Sequence, residues 1–518
     1  MDSDGDGVGD LPGITEKLDY VRWLGADAVW ISPFYPSPQE DFGYDVSDYA
    51  GVDLLFGTLA DFDELLAEAH YLGLKVILDF VPNHTSREHP WFLESRSSRE
   101  DPKRDWYIWR DGRPGSTAKG APPNNWRGAA DTRREGSAWT FDERTDQYYL
   151  ATFSPAQPDL NWRNAEVRAV MLEALRFWLE RGVDGFRLDM VDFLSKDERF
   201  RDEPSLPEGV AEEERWVRAI HQMNRPETLE YVRQMTRVIR SYPDRVAIGE
   251  VLYHLPIERL VSYGAPDLLQ IPLNQRLIFL PLEARTLRAF VDRYDRTALA
   301  AGTWPNWSLG NHDHPRVRRL GEAGARLAAM LLLTLKGTPF VYYGDEIGME
   351  NVPVPPNKRQ DPWAAPESGL SRDPQRTPMQ WDGSPNAGFC PPYVEPWLPV
   401  ADNYREVNVA AEREDTRSML FLYQRLIALR RAEPALSLGC YEPVETSSDE
   451  LMAYRRERGG RQFLVILNIG RERCVYSPEN ELVLGRLVLS TRLDRDGERI
   501  SGRVELRGRE GVIVELRP

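Results

Sequence analysis

The fold is set by the run Val183-Asp184-Gly185-Phe186-Arg187-Leu188-Asp189, a short apolar strand that ends in a carboxylate. Two more apolar runs end the same way, since Glu250 follows residues 245–249 and Asp313 closely follows residues 307–310. In a barrel of parallel strands the carboxyl ends share one face, which carries the catalytic residues. We therefore expect these three carboxylates to converge, and paired carboxylates around a pocket indicate glycosidic-bond chemistry.

Strand and helix patterns alternate along most of the chain. Residues 28–31 and 75–81 are typical of buried strands, and the spacing over 59–72 between them predicts a helix. The same reasoning predicts helices over 165–180, 226–241, 323–335 and 416–432, and a last barrel strand over 337–344. The alternation predicts an α/β fold, a (β/α)8 TIM barrel.

Two regions break the alternation. Residues 85–163 are rich in Trp, Arg, Pro and Asn with little periodicity, which predicts a loop-rich domain inserted after strand 3. After Pro434 short alternating strands predict a C-terminal antiparallel β-sandwich. The predicted domains are a barrel over 1–84 and 164–434, the insertion over 85–163, and the sandwich over 435–518.

Composition limits the possible partners. The 518 residues include 65 Lys and Arg against 82 Asp and Glu, a net charge of −17, which argues against nucleic acid and anionic lipid. Three cysteines, Cys390, Cys440 and Cys474, predict no disulfide framework. The sequence shows neither an apolar run of about 18 residues nor a basic region followed by an apolar core at its start. We expect a cytoplasmic protein with a small neutral substrate and no membrane partner; the oligomeric state is not predicted.

Motifs make the resemblance specific. Residues 79–85 (Asp-Phe-Val-Pro-Asn-His-Thr), 185–189, 249–251 and 311–313 stand in the order found in the α-amylase family, glycoside hydrolase family 13. Residues 43–45, 157–162 and 372–381 resemble the oligo-1,6-glucosidase and α-glucosidase branch of that family. The resemblance covers essentially the whole chain and implies an enzyme, a glycoside hydrolase.

The resemblance implies a role for each carboxylate. Asp189 matches the nucleophile, Glu250 the general acid and base, and Asp313 the carboxylate that binds sugar hydroxyls and helps to distort the ring. In this retaining mechanism the first two carboxyl groups lie about 5–5.5 Å apart. Arg187 lies on the same strand face as Asp189, and we expect it to keep Asp189 ionised while Glu250 stays protonated.

The resemblance also implies a set of substrate-binding residues. Tyr44 matches a ring that stacks on the terminal glucose, Asp45 and Arg376 match a pair that binds its hydroxyls, and Phe153 shapes the aglycone side. The other members of the expected set are His84, His312, Arg187 and Met190. A contact between Asp45, Arg376 and the terminal sugar predicts a blind pocket. Met190 follows the nucleophile where relatives carry Ala, Thr or Val, so linkage preference stays open between α-1,4, α-1,6 and α-1,1.

We expect a retaining exo-acting α-glucosidase that hydrolyses terminal non-reducing glucose from short oligosaccharides through a covalent glucosyl-enzyme. One alternative is a transglucosylase or isomerase of the trehalose synthase or isomaltulose synthase type, which shares that intermediate. A second alternative is a non-catalytic family relative that acts as a binding scaffold. Such relatives typically carry a membrane span and have lost the carboxylates, and neither feature is found in this sequence.

The first ten residues predict a metal site. Asp2, Asp4, Asp6, Val8 and Asp10 stand at positions 1, 3, 5, 7 and 9 of a calcium loop, with Val8 contributing its carbonyl oxygen. Position 12 is Gly13 rather than Glu, so the loop is not a full EF-hand. Hard oxygen ligands favour structural Ca²⁺ or Mg²⁺, and we expect no organic cofactor.

In relatives a first barrel strand precedes this loop. The present chain begins at Met1, and we expect the first barrel strand to be missing from it. A barrel that lacks one strand has two unpaired edges.

Overall fold

The structure, a computed structural model, describes residues 1–113, 120–128, 136–205, 219–364, 371–478 and 482–517. Two compact units make up the chain. We call Asp27–Leu273 the central unit, and Met1–Ala26 together with Asn274–Pro518 the terminal unit. Parts of the predicted insertion, 114–119 and 129–135, lie outside the described residues.

The helices and strands are numbered in chain order. The helices are α1 Leu11–Thr15, α2 Leu18–Leu24, α3 Leu59–Tyr71, α4 Pro90–Ser95, α5 Ala165–Arg181, α6 Pro226–Arg240, α7 Ile257–Ser262, α8 Ala284–Ala301, α9 Glu322–Thr334, α10 Val409–Glu414, α11 Met419–Ala432 and α12 Pro434–Ser437. The strands are β1 Ala28–Ile31, β2 Lys75–Phe80, β3 Trp109–Arg110, β4 Trp139–Asp142, β5 Gln147–Leu150, β6 Gly185–Leu188, β7 Val246–Gly249, β8 Ile271–Pro272, β9 Asn306–Ser308, β10 Thr338–Phe340, β11 Cys440–Val444, β12 Leu451–Arg458, β13 Arg461–Asn468, β14 Cys474–Tyr476, β15 Val483–Ser490, β16 Arg499–Gly502, β17 Val504–Leu506 and β18 Gly511–Leu516.

The central unit is built on a parallel sheet in the order β1-β2-β6-β7-β8. Helix α5 leads into β6: Asn164 caps its start by accepting from the Glu166 N–H, and Gly182 ends it in the left-handed region at φ +107°. A side chain at Gly185 would overlap the Val246 carbonyl oxygen, so glycine lets β6 and β7 pair closely. These features place the ends of β6 and β7 side by side.

The predicted insertion contains a small antiparallel sheet of its own. Its strand order is β3-β5-β4, and its aromatic residues pack with Ile108 and Leu150 in a separate apolar cluster around Trp126 and Trp139. The sheet lies within the central unit. The region predicted as loop-rich therefore also has a short folded core.

The terminal unit contains a parallel pair, β9 with β10, and a six-stranded antiparallel sheet in the order β11-β12-β13-β18-β15-β16. Buried Arg456 on β12 donates to the carbonyl oxygens of Leu436 at 2.7 Å and Gly439 at 2.9 Å, and also to that of Thr334 on α9. The bond to Thr334 joins α9, a helix before residue 434, to the C-terminal sheet. Residues 274–434 therefore share a unit with that sheet, and the sequence boundary at 434 stays a prediction.

The predicted elements agree with the structure to within a few residues. Helices expected over 59–72, 165–180, 226–241, 323–335 and 416–432 are α3, α5, α6, α9 and α11, and the expected parallel sheet is present. Among the described residues no helix is long and apolar enough to span a bilayer. The missing first barrel strand stays a prediction.

Candidate active site

Asp189 and Glu250 stand directly after the neighbouring strands β6 and β7. The backbone N–H of Asp189 donates to the Phe80 carbonyl oxygen at 2.8 Å, and that of Glu250 donates to the Leu188 carbonyl oxygen at 2.8 Å. Both carboxylates are buried, and both accept from the guanidinium of Arg187. The structure thus brings together the two residues predicted as nucleophile and acid.

Arg187 binds both carboxylates of this pair through its guanidinium group. Its side chain is 1% exposed, and one nitrogen, Nη1, donates to Asp189 Oδ1 at 2.5 Å and to Asp79 Oδ1 at 2.8 Å. The other nitrogen, Nη2, donates to Glu250 Oε2. The planar guanidinium therefore fixes three carboxyl groups at once, as a lysine could not.

The pKa of Asp189 differs in direction from the expectation that Arg187 keeps this carboxylate ionised. Burial raises the pKa of Asp189 well above its ordinary value, Arg187 opposes that shift, and Glu250 and Asp79 add to it. One buried cation faces three carboxyl groups, so full ionisation of all three would leave uncompensated buried charge. The raised pKa of Asp189 reflects this crowding of buried carboxyl groups around one cation.

Tyr44 lies next to Asp79 and Arg187 in the site. Its hydroxyl donates to Asp79 Oδ2 at 2.9 Å, and its ring lies 5.8 Å from the Arg187 guanidinium carbon. Burial raises the pKa of Asp79 to about 6, although Arg187 and the Tyr44 hydroxyl oppose the shift. The hydrogen bond from its hydroxyl group thus orients Tyr44, and its ring lies in the site.

His84 is fully buried on the other side of Tyr44. Its Nε2 lies 3.2 Å from the Tyr44 carbonyl oxygen, and its ring packs on Phe153 with centroids 5.1 Å apart. Burial lowers the pKa of His84 to about 4. The imidazole is therefore neutral near pH 7, and Phe153, predicted near the aglycone, is one of its neighbours.

The structure corrects the role predicted for Asp45. Asp45 is completely enclosed, and its carboxylate accepts from the Ser37 hydroxyl at 2.9 Å and from the backbone N–H groups of Glu40 at 3.0 Å and Asp41 at 2.9 Å. Those bonds use the carboxylate to shape its own loop. Asp41, which the sequence argument missed, instead accepts from Gln157 Nε2 at 2.9 Å, next to His84.

Met190, directly after the nucleophile, has a strained backbone. Its φ of 36° and ψ of 51° lie in the left-handed region, which residues other than glycine rarely adopt. The following N–H, that of Val191, donates to the Glu250 carbonyl oxygen at 2.9 Å. The sharp turn at Met190 therefore links the ends of β6 and β7 behind the carboxylate pair.

The other predicted sugar-binding residues form a cluster in the terminal unit. Arg376 Nη2 donates to Asp313 Oδ1 at 2.9 Å and its Nε donates to the His312 carbonyl oxygen at 2.8 Å, while His312 Nε2 lies 3.2 Å from Asp313 Oδ2. Burial raises the pKa of Asp313, but His312, Arg376 and Arg372 outweigh it and hold this pKa below its ordinary range. Asp313 is therefore ionised at all ordinary pH values.

Arg372 was not predicted as a site residue, although it is the first residue of the 372–381 motif that also contains Arg376. It lies 3.5 Å from Asp313 through Nη1, and it is held by Asp361, to which Nη2 donates at 2.8 Å and Nε at 3.1 Å. Its spacing of four residues from Arg376 was the available signal.

The amino-terminal loop has the turns of a cation site. Asp2, Asp4 and Asp10 place carboxylate oxygens within 4.8 Å of one another. Asp2 accepts from the N–H groups of Gly5 and Gly7, and Asp10 from those of Ser3 and Gly13. Asp6 is outside this group of three, and its carboxylate accepts from the Val8 N–H at 2.7 Å. The donor set consists of hard oxygens and fits Ca²⁺ or Mg²⁺.

Comparison with known proteins places the chain among carbohydrate enzymes. The family model for the alpha amylase catalytic domain matches residues 1–439. The oligo-1,6-glucosidase of Parageobacillus thermoglucosidasius is 37% identical over 100% of this chain and 96% of its own. The trehalose-6-phosphate hydrolase of Escherichia coli is 38% identical over 91% of this chain and 88% of its own. The crystal structure of trehalulose synthase MutB from Pseudomonas mesoacidophila MX-45 has a TM-score of 0.89 at 34% identity, covering 100% of this chain and 96% of that one.

Proposed function

Because the chain belongs to the α-amylase family and has its fold, a TIM barrel with a C-terminal β domain, we propose that this glycoside hydrolase is a retaining, exo-acting α-glucosidase. It would release single glucose units from the non-reducing ends of short oligosaccharides. The observation that carries the proposal is the contact that both residues share with Arg187, whose two terminal nitrogens donate to Asp189 and Glu250 and hold the two carboxyl groups close together. An inverting enzyme keeps its carboxyl groups about 6.5–9.5 Å apart to admit a water, whereas retaining enzymes bring them closer.

The proposed chemistry follows from this pair. Asp189 attacks the anomeric carbon while Glu250 gives its proton to the departing glycosidic oxygen, which forms a glucosyl ester on Asp189. Glu250 then takes a proton from water as that water attacks the anomeric carbon, the bond to Asp189 breaks, and free glucose leaves with its anomeric configuration retained.

The remaining residues would bind substrate. We propose that Tyr44 of the central unit stacks on a sugar ring. In the terminal unit, we propose that ionised Asp313, with His312 and Arg376, binds sugar hydroxyls. Asp41 takes the role that the sequence argument gave to Asp45, because the Asp45 carboxylate is enclosed by its own loop. A pocket closed beyond the terminal sugar predicts attack at chain ends.

The test is the identity and anomeric form of the first product. Proton NMR during hydrolysis of maltose and isomaltose should show α-glucose before mutarotation. β-Glucose as the first product would exclude the retaining mechanism, and internal cleavage of longer chains without free glucose would exclude exo action. Asp189→Asn, with the same shape and no nucleophile, should lose turnover.

A second candidate is glucosyl transfer or isomerisation. Its support is the likeness in fold to trehalulose synthase MutB, since transfer needs the same glucosyl-enzyme but excludes water. Products from sucrose and maltose separate the two candidates. Free glucose supports hydrolysis, whereas isomeric disaccharides without comparable glucose would replace our first candidate. A parallel assay with trehalose 6-phosphate tests the activity for which the E. coli relative is named.

Linkage preference is a separate proposal that rests on Met190. A flexible thioether can repack around different aglycones, so we propose activity toward several α-linked disaccharides. Rates on maltose, isomaltose, sucrose and trehalose should shift in Met190→Ala and Met190→Val relative to the parent. Unchanged preferences in both variants would exclude a role for this side chain.

We further propose a structural Ca²⁺ or Mg²⁺ held by Asp2, Asp4 and Asp10, with Asp6 and the Val8 carbonyl oxygen as additional ligands. We also propose that residues 85–163 form an inserted domain and that the protein is cytoplasmic.

A further inference from the structure

Lys196 is a lysine buried almost completely within the central unit. Its side chain is 1% exposed, and its ammonium group lies 2.6 Å from Asp159 Oδ2 and donates to Asn83 Oδ1 at 2.8 Å. Asp159 in turn accepts from the N–H of Thr152 at 2.9 Å and from its hydroxyl at 2.5 Å. Burying a charge of this kind is costly, so a fully satisfied arrangement indicates a specific role.

The lysine determines how the Asn83 side chain is oriented. An ammonium group has hydrogen-bond donors and no acceptor, so the Asn83 atom that faces it must be the amide oxygen. The amide nitrogen of Asn83 then points the other way and lies 3.3 Å from His84 Nδ1. A rotated amide would place its nitrogen against the ammonium group.

The amide in turn determines the proton position on His84. Asn83 presents N–H groups to Nδ1, so that nitrogen accepts, and a neutral imidazole then carries its proton on Nε2. The Nε2–H group points to the Tyr44 carbonyl oxygen at 3.2 Å. The Gln157 amide nitrogen also lies 3.2 Å from Nε2, but it donates to Asp41 at 2.9 Å. The His84 ring is thereby held against Tyr44, the residue on which the sugar is proposed to stack.

We propose that Lys196 is a positioning residue that fixes the tautomer of His84 through the Asn83 amide. The benefit to catalysis rests on the proposed function, in which Tyr44, whose carbonyl oxygen lies against His84, stacks on the terminal glucose. The tautomer itself is a property of the free protein. Burial lowers the pKa of His84 to about 4, and Lys196 adds to this effect while Asp159 opposes it. Asp41, which is bonded to Gln157 beside Nε2, is the further charged group on that side.

Nitrogen-15 NMR of histidine-labelled protein tests the proposal directly, because the nitrogen shifts report which ring nitrogen carries the proton. The chain contains seven histidines, so the spectrum has few signals. His84→Gln assigns the two His84 signals by removing them. In the parent, Nδ1 should resonate as an unprotonated nitrogen and Nε2 as a protonated one throughout pH 6–8, well above the His84 pKa of about 4. A parent protein with the proton on Nδ1 would overturn the proposal.

The decisive variant is Lys196→Met combined with Asp159→Asn, which removes the ion pair without leaving a buried carboxylate. Released from the ammonium, the Asn83 amide should rotate, and the Nδ1–H tautomer of His84 should appear. Lys75→Met is the matched control, since Lys75 also binds a buried carboxylate, that of Asp184, and should leave His84 unchanged. A single Nε2–H tautomer in the double variant would overturn the proposal.

Kinetic measurements test whether the tautomer of His84 affects the reaction. The double variant should lose about tenfold in kcat/KM, as expected for one misdirected hydrogen bond. The single variant Lys196→Arg, which keeps a cation beside Asp159, should lose less. If the tautomer changes but the enzyme proves not to hydrolyse glucosides, the proposed function fails while the positioning role of Lys196 stands. An unchanged tautomer together with normal glucosidase activity would overturn the positioning role and leave the proposed function in place.

Discussion

Asp189 and Glu250 are bonded to the same guanidinium, that of Arg187. Arg187 serves them with separate nitrogens, so the two carboxyl groups are fixed relative to one another. A single buried cation faces three buried carboxyl groups, which disfavours ionisation of all three. The retaining mechanism needs two carboxyl groups held close together, one as an ionised nucleophile and one as a protonated acid.

Arg187→Lys should therefore lower kcat/KM by on the order of 10²–10³-fold, because an ammonium group cannot bridge the two carboxyl groups in a plane. Steady-state kinetics on a chromogenic α-glucoside measures the loss. Arg176→Lys on the exposed face of α5 is the control and should be neutral. Near-normal kcat/KM in Arg187→Lys would show that the shared guanidinium is dispensable.

Asp41 and Asp45 should respond in opposite ways to substitution. Asp45→Ala leaves three buried donors without an acceptor, so we expect a loss of about 2–4 kcal/mol in the free energy of unfolding with a modest change in KM. Asp41→Asn should keep the thermal midpoint and lower kcat/KM by roughly tenfold or more. Calorimetry and kinetics on both variants decide between the two aspartates. The reverse pattern would restore Asp45 as the sugar ligand.

Asp345 in the terminal unit predicts a pH dependence of stability. Burial raises its pKa to about 7, with Arg316 opposing and Glu346 adding to the shift, whereas an unfolded aspartate titrates near 4. The folded state thus binds the proton more tightly, and stability falls as pH rises from about 4 to about 7. Asp345→Asn should flatten the decline in thermal midpoint between pH 5 and pH 8. An equally steep decline in that variant would remove Asp345 as its cause.

Removal of the proposed cation should lower the thermal midpoint by several degrees, because a ligand that binds only the folded state stabilises it by about 2.7 kcal/mol at 100 times its Kd. Scanning calorimetry with a chelator, followed by added Ca²⁺ or Mg²⁺, measures the loss and its recovery. Asp4→Asn should abolish the response, and Glu64→Gln on the exposed face of α3 should keep it. A midpoint unaffected by chelator in metal-loaded protein would exclude the site.

Strand ends and helices could be predicted because their patterns are local. Apolar runs that end in a carboxylate located Asp189 and Glu250 correctly after β6 and β7. The choice between Asp41 and Asp45 could not be made this way, since it depends on a reversal at Gly43, whose φ is +91° and whose added Cβ would contact the Pro33 carbonyl carbon at 3.3 Å. Which aspartate faces His84 follows from that turn.

Other features depend on partners distant in sequence. The left-handed backbone of Met190 reflects its position between two strand ends rather than its own preference. Lys196 meets Asn83 and Asp159 only in the folded chain, and a single lysine in a loop carries no pattern that identifies it. Arg456 likewise joins the C-terminal sheet to α9 and α12 through the backbone carbonyl groups of Thr334 and Leu436, which the side-chain sequence does not reveal.

The central claim is that Asp189 forms a covalent bond to glucose. The direct measurement uses 5-fluoro-α-glucosyl fluoride, whose ring fluorine slows both formation and breakdown of the glucosyl-enzyme, while its good leaving group, fluoride, speeds formation so that the intermediate accumulates. Intact mass followed by peptide mapping should show one fluoroglucosyl group per chain, attached to Asp189, and His84→Gln should still form it. A protein that turns over glucosides yet carries no adduct, or carries it on another residue, would contradict the account.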